Sequence, residues 1–413
     1  MNGYCFLVLI STFSLFAVEP TLTVNIPMRD GTKLPADLYF PPNQQEQLPC
    51  ILVRSPAGRQ AEPAKQYIPF ANKGYLVVIQ ETRSSLDSEG KTLPYISDGW
   101  GEQQDGYDTV EWLAHVPYTN GRVGTLGPSA LGMAQMMLAP TAPPSLKCQY
   151  ICNAAPSLYH YAIFAGGQFL QHQVEGWLSL YARDPLVLNT IANQPYYNDF
   201  WQQFNTLAQA NKVSTPAVHE GGWYDMFVQG TIDGFCAWQH EGGEGARKQQ
   251  KLIIGPWSHF WPYHRKIGDY LVPHNGEKPP IPLSMESWLA HHLKGEPLDL
   301  DTIPPITSYV MGPFDGSPSG GNIWRHADSW PLPYRETPLY LCRDRSLNFL
   351  STPKKNLSIC YLHDPNNPVP THGGRNLFIE SGPLDQRMIE ERDDVIVFTS
   401  PPLEEEIEIT GRI

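Results

Sequence analysis

The chain has 413 residues, more than a single hydrophobic core usually serves, so two domains with ample core material are expected. Its net charge is −13 with no long acidic block, which argues against nucleic-acid binding and for an acidic exterior. The 40 prolines point to a loop-rich construction.

At the N-terminus, Met1 to Ala17 carries an apolar stretch of secretory length, too short for a dependable membrane span. Residues 1–18 are therefore expected to be a signal peptide, which makes the mature protein secreted or periplasmic. The other reading is a first buried strand in a cytoplasmic protein. No later segment could cross a bilayer. If Cys5 is removed, Cys50, Cys148, Cys152, Cys236, Cys342 and Cys360 remain, an even count that permits disulfides without requiring them. Cys148 and Cys152 lie in one predicted strand, where four residues span about 13 Å, too far to bridge each other. Asn356-Leu357-Ser358 is a glycosylation sequon, usable only in an exported eukaryotic chain.

From residue 19 to about 302, short apolar β-type runs alternate with helix-like segments. The runs are Leu48–Arg54, Tyr75–Gln80, Val123–Leu126, Lys147–Cys152, Thr215–Glu220 and Lys251–Gly255, each bounded by glycine, proline or polar residues. Amphipathic pieces such as Tyr107–Ala114 lie between them. This pattern predicts a mostly parallel sheet covered by helices, an α/β domain over 19–302. Residues 156–212 interrupt the rhythm with aromatics and no good strand, the texture of a helical cap. From 303 to 413 separated β-runs at Pro304–Met311, Pro338–Leu341, Val395–Thr399 and Glu406–Ile409 suggest a β-sandwich.

Gly127-Pro-Ser129-Ala-Leu-Gly132 follows one β-run and leads into a helix-like segment, Met133 to Ala139. A strand, a cramped turn on Ser129 and a helix would display a hydroxyl at the head of a sheet and aim the free N–H groups of the helix at an oxyanion beside it. The motif is weak alone, since glycines flank serines in many loops. A serine nucleophile also needs a base and an acid that holds the base. His259 follows the run at Lys251 within Gly255-Pro-Trp-Ser-His259, and Asp225 follows the run at Thr215 within Gly221-Gly-Trp-Tyr-Asp225. Asp225 could instead cap a helix, and His259 could be a packed loop histidine. The order Ser129, Asp225, His259 at successive strand ends favours catalysis.

With these motifs, and with Ile26–Tyr39, Leu293-Lys-Gly295 and Tyr309-Val-Met-Gly312, the chain resembles the cocaine esterase-type hydrolases, the CocE/NonD family, relatives of X-Pro dipeptidyl-peptidases and α-amino acid ester hydrolases. The matching stretches run in family order from about residue 24 onward. The resemblance implies an α/β-hydrolase fold with a helical cap and a jelly-roll β-sandwich, here partial and apparently truncated. It implies Ser129 as nucleophile, His259 as general base and acid, and Asp225 as its orienting carboxylate. The backbone N–H of Ala130 would supply half of the oxyanion hole. The other donor in the family is a tyrosine hydroxyl, and Ala57 stands in its place, so a backbone N–H from Ala57 or Gly58 is the expected substitute.

Trp223, Trp257, Trp177 and Phe169 are the expected substrate-binding residues, and Glu175 or Asp184 could receive a cationic substrate end. No cofactor and no metal are expected, because the histidines lack ligand spacing. The expected partner is a small-molecule ester or short peptide. The expected function is a serine hydrolase cleaving ester or amide bonds through an acyl-enzyme; the alternatives are X-Pro dipeptidyl-peptidase or α-amino acid ester hydrolase activity, or a catalytically impaired binding homologue.

Overall fold

The computed structural model describes residues 19–42, 46–83, 93–181, 185–315, 317, 319–349 and 358–411. The expected signal peptide, most of the sequon and Asp184 lie outside them. Among the described residues no helix is long and apolar enough to cross a membrane.

Two strands not predicted as runs, β1 (Leu22–Pro27) and β2 (Lys33–Tyr39), precede the six runs predicted between 19 and 302, all of which become strands: β3 (Leu48–Ser55), β4 (Leu76–Glu81), β5 (Thr119–Pro128), β6 (Leu146–Cys152), β7 (Ala217–Tyr224) and β8 (Lys251–Ser258). Two short strands, β9 (Lys266–Ile267) and β10 (Tyr270–Leu271), form a separate hairpin, followed by β11 (Ile306–Val310) and β12 (Ile323–Ala327). The main sheet has the order β1-β2-β4-β3-β5-β6-β7-β8-β11-β12. It is parallel from β4 through β11, with antiparallel strands at both edges.

The continuous apolar runs are explained by two covered faces. Ile51 and Val53 of β3 join one cluster with Val77 and Ile79 of β4, while Cys50 and Leu52 join Leu76 and Val78 in a cluster on the opposite face. The helices in chain order are α1 (Glu62–Lys65), α2 (Asp105–His115), α3 (Ala130–Leu138), α4 (Gln171–Tyr181), α5 (Pro185–Ala192), α6 (Asp199–Gln202), α7 (Val228–Glu241), α8 (Met285–Leu289) and α9 (Arg387–Glu390). Val110 and Leu113 of α2 pack on the second of these faces, and Trp288 and Leu289 of α8 on the first.

Between β6 and β7 the chain is helical or turned, with α4, α5, α6 and short 3₁₀ and π segments, as a cap over 156–212 requires. Its core is aromatic: Trp201 is almost fully buried and meets Tyr159, Phe164, Phe200 and Phe204.

The C-terminal region departs from expectation. The boundary drawn at 303 falls inside the sheet, because β11 pairs in parallel with β8, Ile306 opposite Leu252. After β12, the only strands among the described residues are the two-residue pair β13 (Tyr340–Leu341) and β14 (Leu347–Asn348), with isolated bridges between Ser346 and Thr399 and between Gly374 and Gly382. The runs at Val395–Thr399 and Glu406–Ile409 are not strands. A strand exists only where a neighbour takes up its N–H and C=O groups, and among the described residues these runs have none beyond the bridge at Thr399. The six described cysteines are free thiols, three of them buried.

Candidate active site

Ser129 stands between β5 and α3 with φ 56° and ψ −122°, a positive φ that a side-chain-bearing residue rarely adopts. The turn closes only with small neighbours. A Cβ at Gly132 would lie 2.7 Å from Ala154 Cβ and 3.0 Å from the Cys152 carbonyl. Within this turn the Ser129 N–H donates to the Cys152 carbonyl at 3.0 Å, and the Ser129 carbonyl accepts the first helical bond, from Met133, at 2.8 Å. The strain is thus held by β6 on one side and by α3 on the other.

His259 and Asp225 arrive from the ends of β8 and β7. His259 Nε2 lies 3.0 Å from Ser129 Oγ, and His259 Nδ1 lies 2.5 Å from Asp225 Oδ2. Asp225 is fully buried, and its Oδ1 accepts the Phe227 N–H at 2.6 Å. That second bond offsets the cost of burying a carboxylate and fixes its rotamer. The His259 ring sits edge-to-face against Phe227 and Phe260, each 5.7 Å away between centroids. Burial pushes the neighbouring Cys152 thiol well up, so it stays protonated beside the Ser129 turn.

The candidate oxyanion donors lie at the same end of the sheet. The Ala130 N–H is the first of α3. β3 runs parallel to β5 with Leu52 opposite Thr125, so the chain leaving β3 at Ser55 passes alongside the Ser129 turn. There the Gly58 N–H is already engaged, donating to the Ser55 carbonyl at 3.3 Å. Arg59 pins this loop, reaching Asp37 at 2.6 Å and Glu81 at 3.0 Å.

Above Ser129 opens an apolar cavity walled by Met133, Trp177, Phe200, Trp201, Phe204 and Phe227. Leu377, from the C-terminal region, closes one side, and Phe378 seats against α4 at Gly176. Trp177 lines the cavity as expected and stacks on Tyr95 at 5.9 Å. Among the described lining residues none carries a carboxylate. Glu175 is exposed on α4 and accepts a bond from Gln171, so it does not serve the cavity.

Three expected substrate contacts are corrected. Trp257 is buried, with its Nε1 donating to the Gly276 carbonyl at 2.8 Å and its ring stacked on Trp261. It crosses the space left by two glycines on adjacent strands, since a Cβ at Gly255 would meet its indole at 2.2 Å and one at Gly222 its carbonyl oxygen at 2.2 Å. The tryptophan of GPWSH and a glycine of the GGWYD stretch therefore meet in packing. Trp223 donates to the Tyr309 carbonyl at 2.6 Å and faces Trp330, which ties β7 to β11. Phe169 packs on Phe164 within the cap and does not line the cavity.

Two residues at the site were not anticipated. Leu377 had no local signal, since its place depends on how the C-terminal region returns. Asn153 had a weak one, a polar residue directly after a buried strand. Among the described residues no cluster of three His, Cys, Asp or Glu could hold a metal ion.

The family model of the X-Pro dipeptidyl-peptidase (S15 family) matches residues 30–182 and 176–261, more than half of the chain. The chain belongs to that family. A second model, the X-Pro dipeptidyl-peptidase C-terminal non-catalytic domain, matches residues 299–413, the region that holds β11 and β12. A cocaine esterase from Rhodococcus is 28% identical across 94% of this chain and 76% of its own length. An aminopeptidase from a marine sediment Thaumarchaeota archaeon superposes with a TM-score of 0.76 at 23% identity, over 93% of this chain and 72% of that one. A CocE/NonD family hydrolase from Staphylococcus aureus gives 0.63 at 24% identity, over 79% and 59%. The protein is an S15-family serine hydrolase, an α/β-hydrolase fold followed by a β region.

Proposed function

We propose that the chain is an esterase that works through Ser129, His259 and Asp225. His259 Nε2 takes the Ser129 proton as Oγ attacks the ester carbonyl carbon. The tetrahedral oxyanion is received by the N–H groups of Ala130 and Ala57. His259 then protonates the departing alcohol, leaving an acyl ester on Ser129. A water deprotonated by His259 attacks that ester, and Ser129 recovers its proton as the acid leaves. Asp225 holds the imidazole in the tautomer with its proton on Nδ1 and stabilises the imidazolium that forms twice per cycle.

The observation that carries the reading is the unbroken Ser129–His259–Asp225 chain, whose serine lines a mostly apolar cavity with no charged side chain in its described walls. A dipeptidyl-peptidase or α-amino acid ester hydrolase must pair a protonated amine of its substrate with an anion, because an unpaired buried charge costs several kcal/mol. A neutral acyl group meets no such demand. The name of the Rhodococcus relative, a cocaine esterase, agrees with ester substrates. The missing tyrosine hydroxyl lowers the expected rate, since loss of one oxyanion donor typically costs about 100-fold or more.

Turnover of p-nitrophenyl butyrate, phenylglycine methyl ester and Gly-Pro p-nitroanilide tests the reading, together with labelling by a fluorophosphonate probe. The neutral ester should exceed the other two in kcat/KM by about 100-fold, and Ser129→Ala should abolish both turnover and labelling. Preference for Gly-Pro p-nitroanilide, or labelling that survives Ser129→Ala, overturns it.

A further inference from the structure

We propose that Asn153 is the positioning residue that sets the backbone of His259 relative to Ser129 and Asp225. The inference rests on the triad assignment above and assigns a role to a residue outside it.

Asn153 directly follows β6, the strand between the one that carries Ser129 and the one that leads to Asp225. Its side-chain Nδ2 donates to the His259 carbonyl at 3.3 Å. Its own N–H donates to the Glu220 carbonyl, on β7, at 2.8 Å. Its neighbour Cys152 accepts the Ser129 N–H at 3.0 Å. Two consecutive residues thus reach the elements that carry all three triad members, and one amide group makes the link to the base.

The residue type fits the task. Asn153 has φ 46°, the left-handed region that asparagine tolerates far better than residues with branched or bulky side chains. It is 8% exposed, so the His259 carbonyl has little water to turn to if the amide is removed. An aspartate would keep the shape and the backbone conformation. Ionised, it would present a second acceptor to a carbonyl that needs a donor. Asn153 touches neither substrate nor the reacting atoms, and its effect passes through the placing of the imidazole between Ser129 Oγ and Asp225.

The competing account is that Asn153 merely closes β6. Asn153→Gly separates the two, because glycine accepts the same φ while deleting the amide. For this variant we expect kcat on p-nitrophenyl butyrate to fall roughly tenfold, with KM within about twofold and an unaltered melting temperature. The rate of fluorophosphonate labelling should fall by the same factor. Asn153→Asp should fall further. Wild-type kcat in Asn153→Gly overturns the proposal. So does loss of folded protein in both variants, or a lowered melting temperature with kcat retained, since either assigns Asn153 to the fold. Wild-type enzyme and Ser129→Ala are labelled alongside. If Ser129→Ala still labels, the triad reading itself has failed; if Ser129→Ala does not label and Asn153→Gly labels as fast as the wild type, the role of Asn153 alone is lost.

Discussion

Every residue of β3 and β4 is buried, whereas beyond Tyr309 only Gly373 and Gly382 are buried among the described residues. Both regions carry apolar β-type runs in the sequence. In the first, each run gains a hydrogen-bonded neighbour and a helical layer on each face, so its apolar side chains leave water. In the second, Leu339, Leu341, Leu362, Leu403, Ile407 and Ile409 remain exposed. Apolar content alone therefore does not make a core; pairing and cover do. The second region still shapes the site, because Leu377 reaches the cavity from it.

If the sheet end is the working part of the molecule, the largest effects belong there. Asp225→Asn keeps the shape of the carboxylate and removes its charge, and it should lower kcat by about 10³-fold or more while leaving the urea midpoint near that of the wild type. A loss of less than tenfold would break the distinction between the site and its scaffold.

Next in size is a packing defect within the sheet. In Gly222→Ala the new Cβ would lie 2.2 Å from the Trp257 carbonyl oxygen, a backbone atom that cannot swing aside. Destabilisation of about 1–3 kcal/mol is expected from equilibrium denaturation.

Acid should act on the same half of the chain. Burial lowers both His219 and His292 from an ordinary value of 6.5 to about 4. The unfolded chain therefore binds protons that the folded one refuses as pH drops below about 6.5, and stability declines from there until about pH 4. Calorimetry between pH 8 and pH 4 should find a level melting temperature above pH 7 and a fall below 6.5. His219→Gln, which keeps a polar group facing Gln250, should reduce the slope. An unchanged slope would show that His219 contributes nothing to it.

The smallest effect is expected in the exposed region. Leu362, at 85% exposure, has little packing to lose. Leu362→Asp should shift stability by no more than about 0.5 kcal/mol. A larger loss would mean that this stretch is covered in solution, and the contrast between the two regions would have to be redrawn.

Much of the catalytic half was legible because its signals are local. Short apolar runs bounded by turn residues located the strands from β3 to β8, and the motif order put Ser129, Asp225 and His259 after β5, β7 and β8. What was not legible depended on distant parts of the chain. In sequence the indoles of Trp223 and Trp257 look like ligand contacts beside the candidate triad, yet their partners are the carbonyls of Tyr309 and Gly276 and glycine-lined space on β7 and β8. The apolar run at 395–399 and the alternation at 406–409 are real in sequence, but strand formation depends on a partner that neither pattern specifies.

All nine residues of α3 are buried, and none bears a charge. Apart from Ala130 and Met133 at the cavity, the flanks of the helix whose first N–H adjoins Ser129 are packed in protein, and screening that would mute the same dipole on an exposed helix is weak here. The polarity at the start of α3, beside Ser129, is set by the fold and is largely independent of the ionic strength around it.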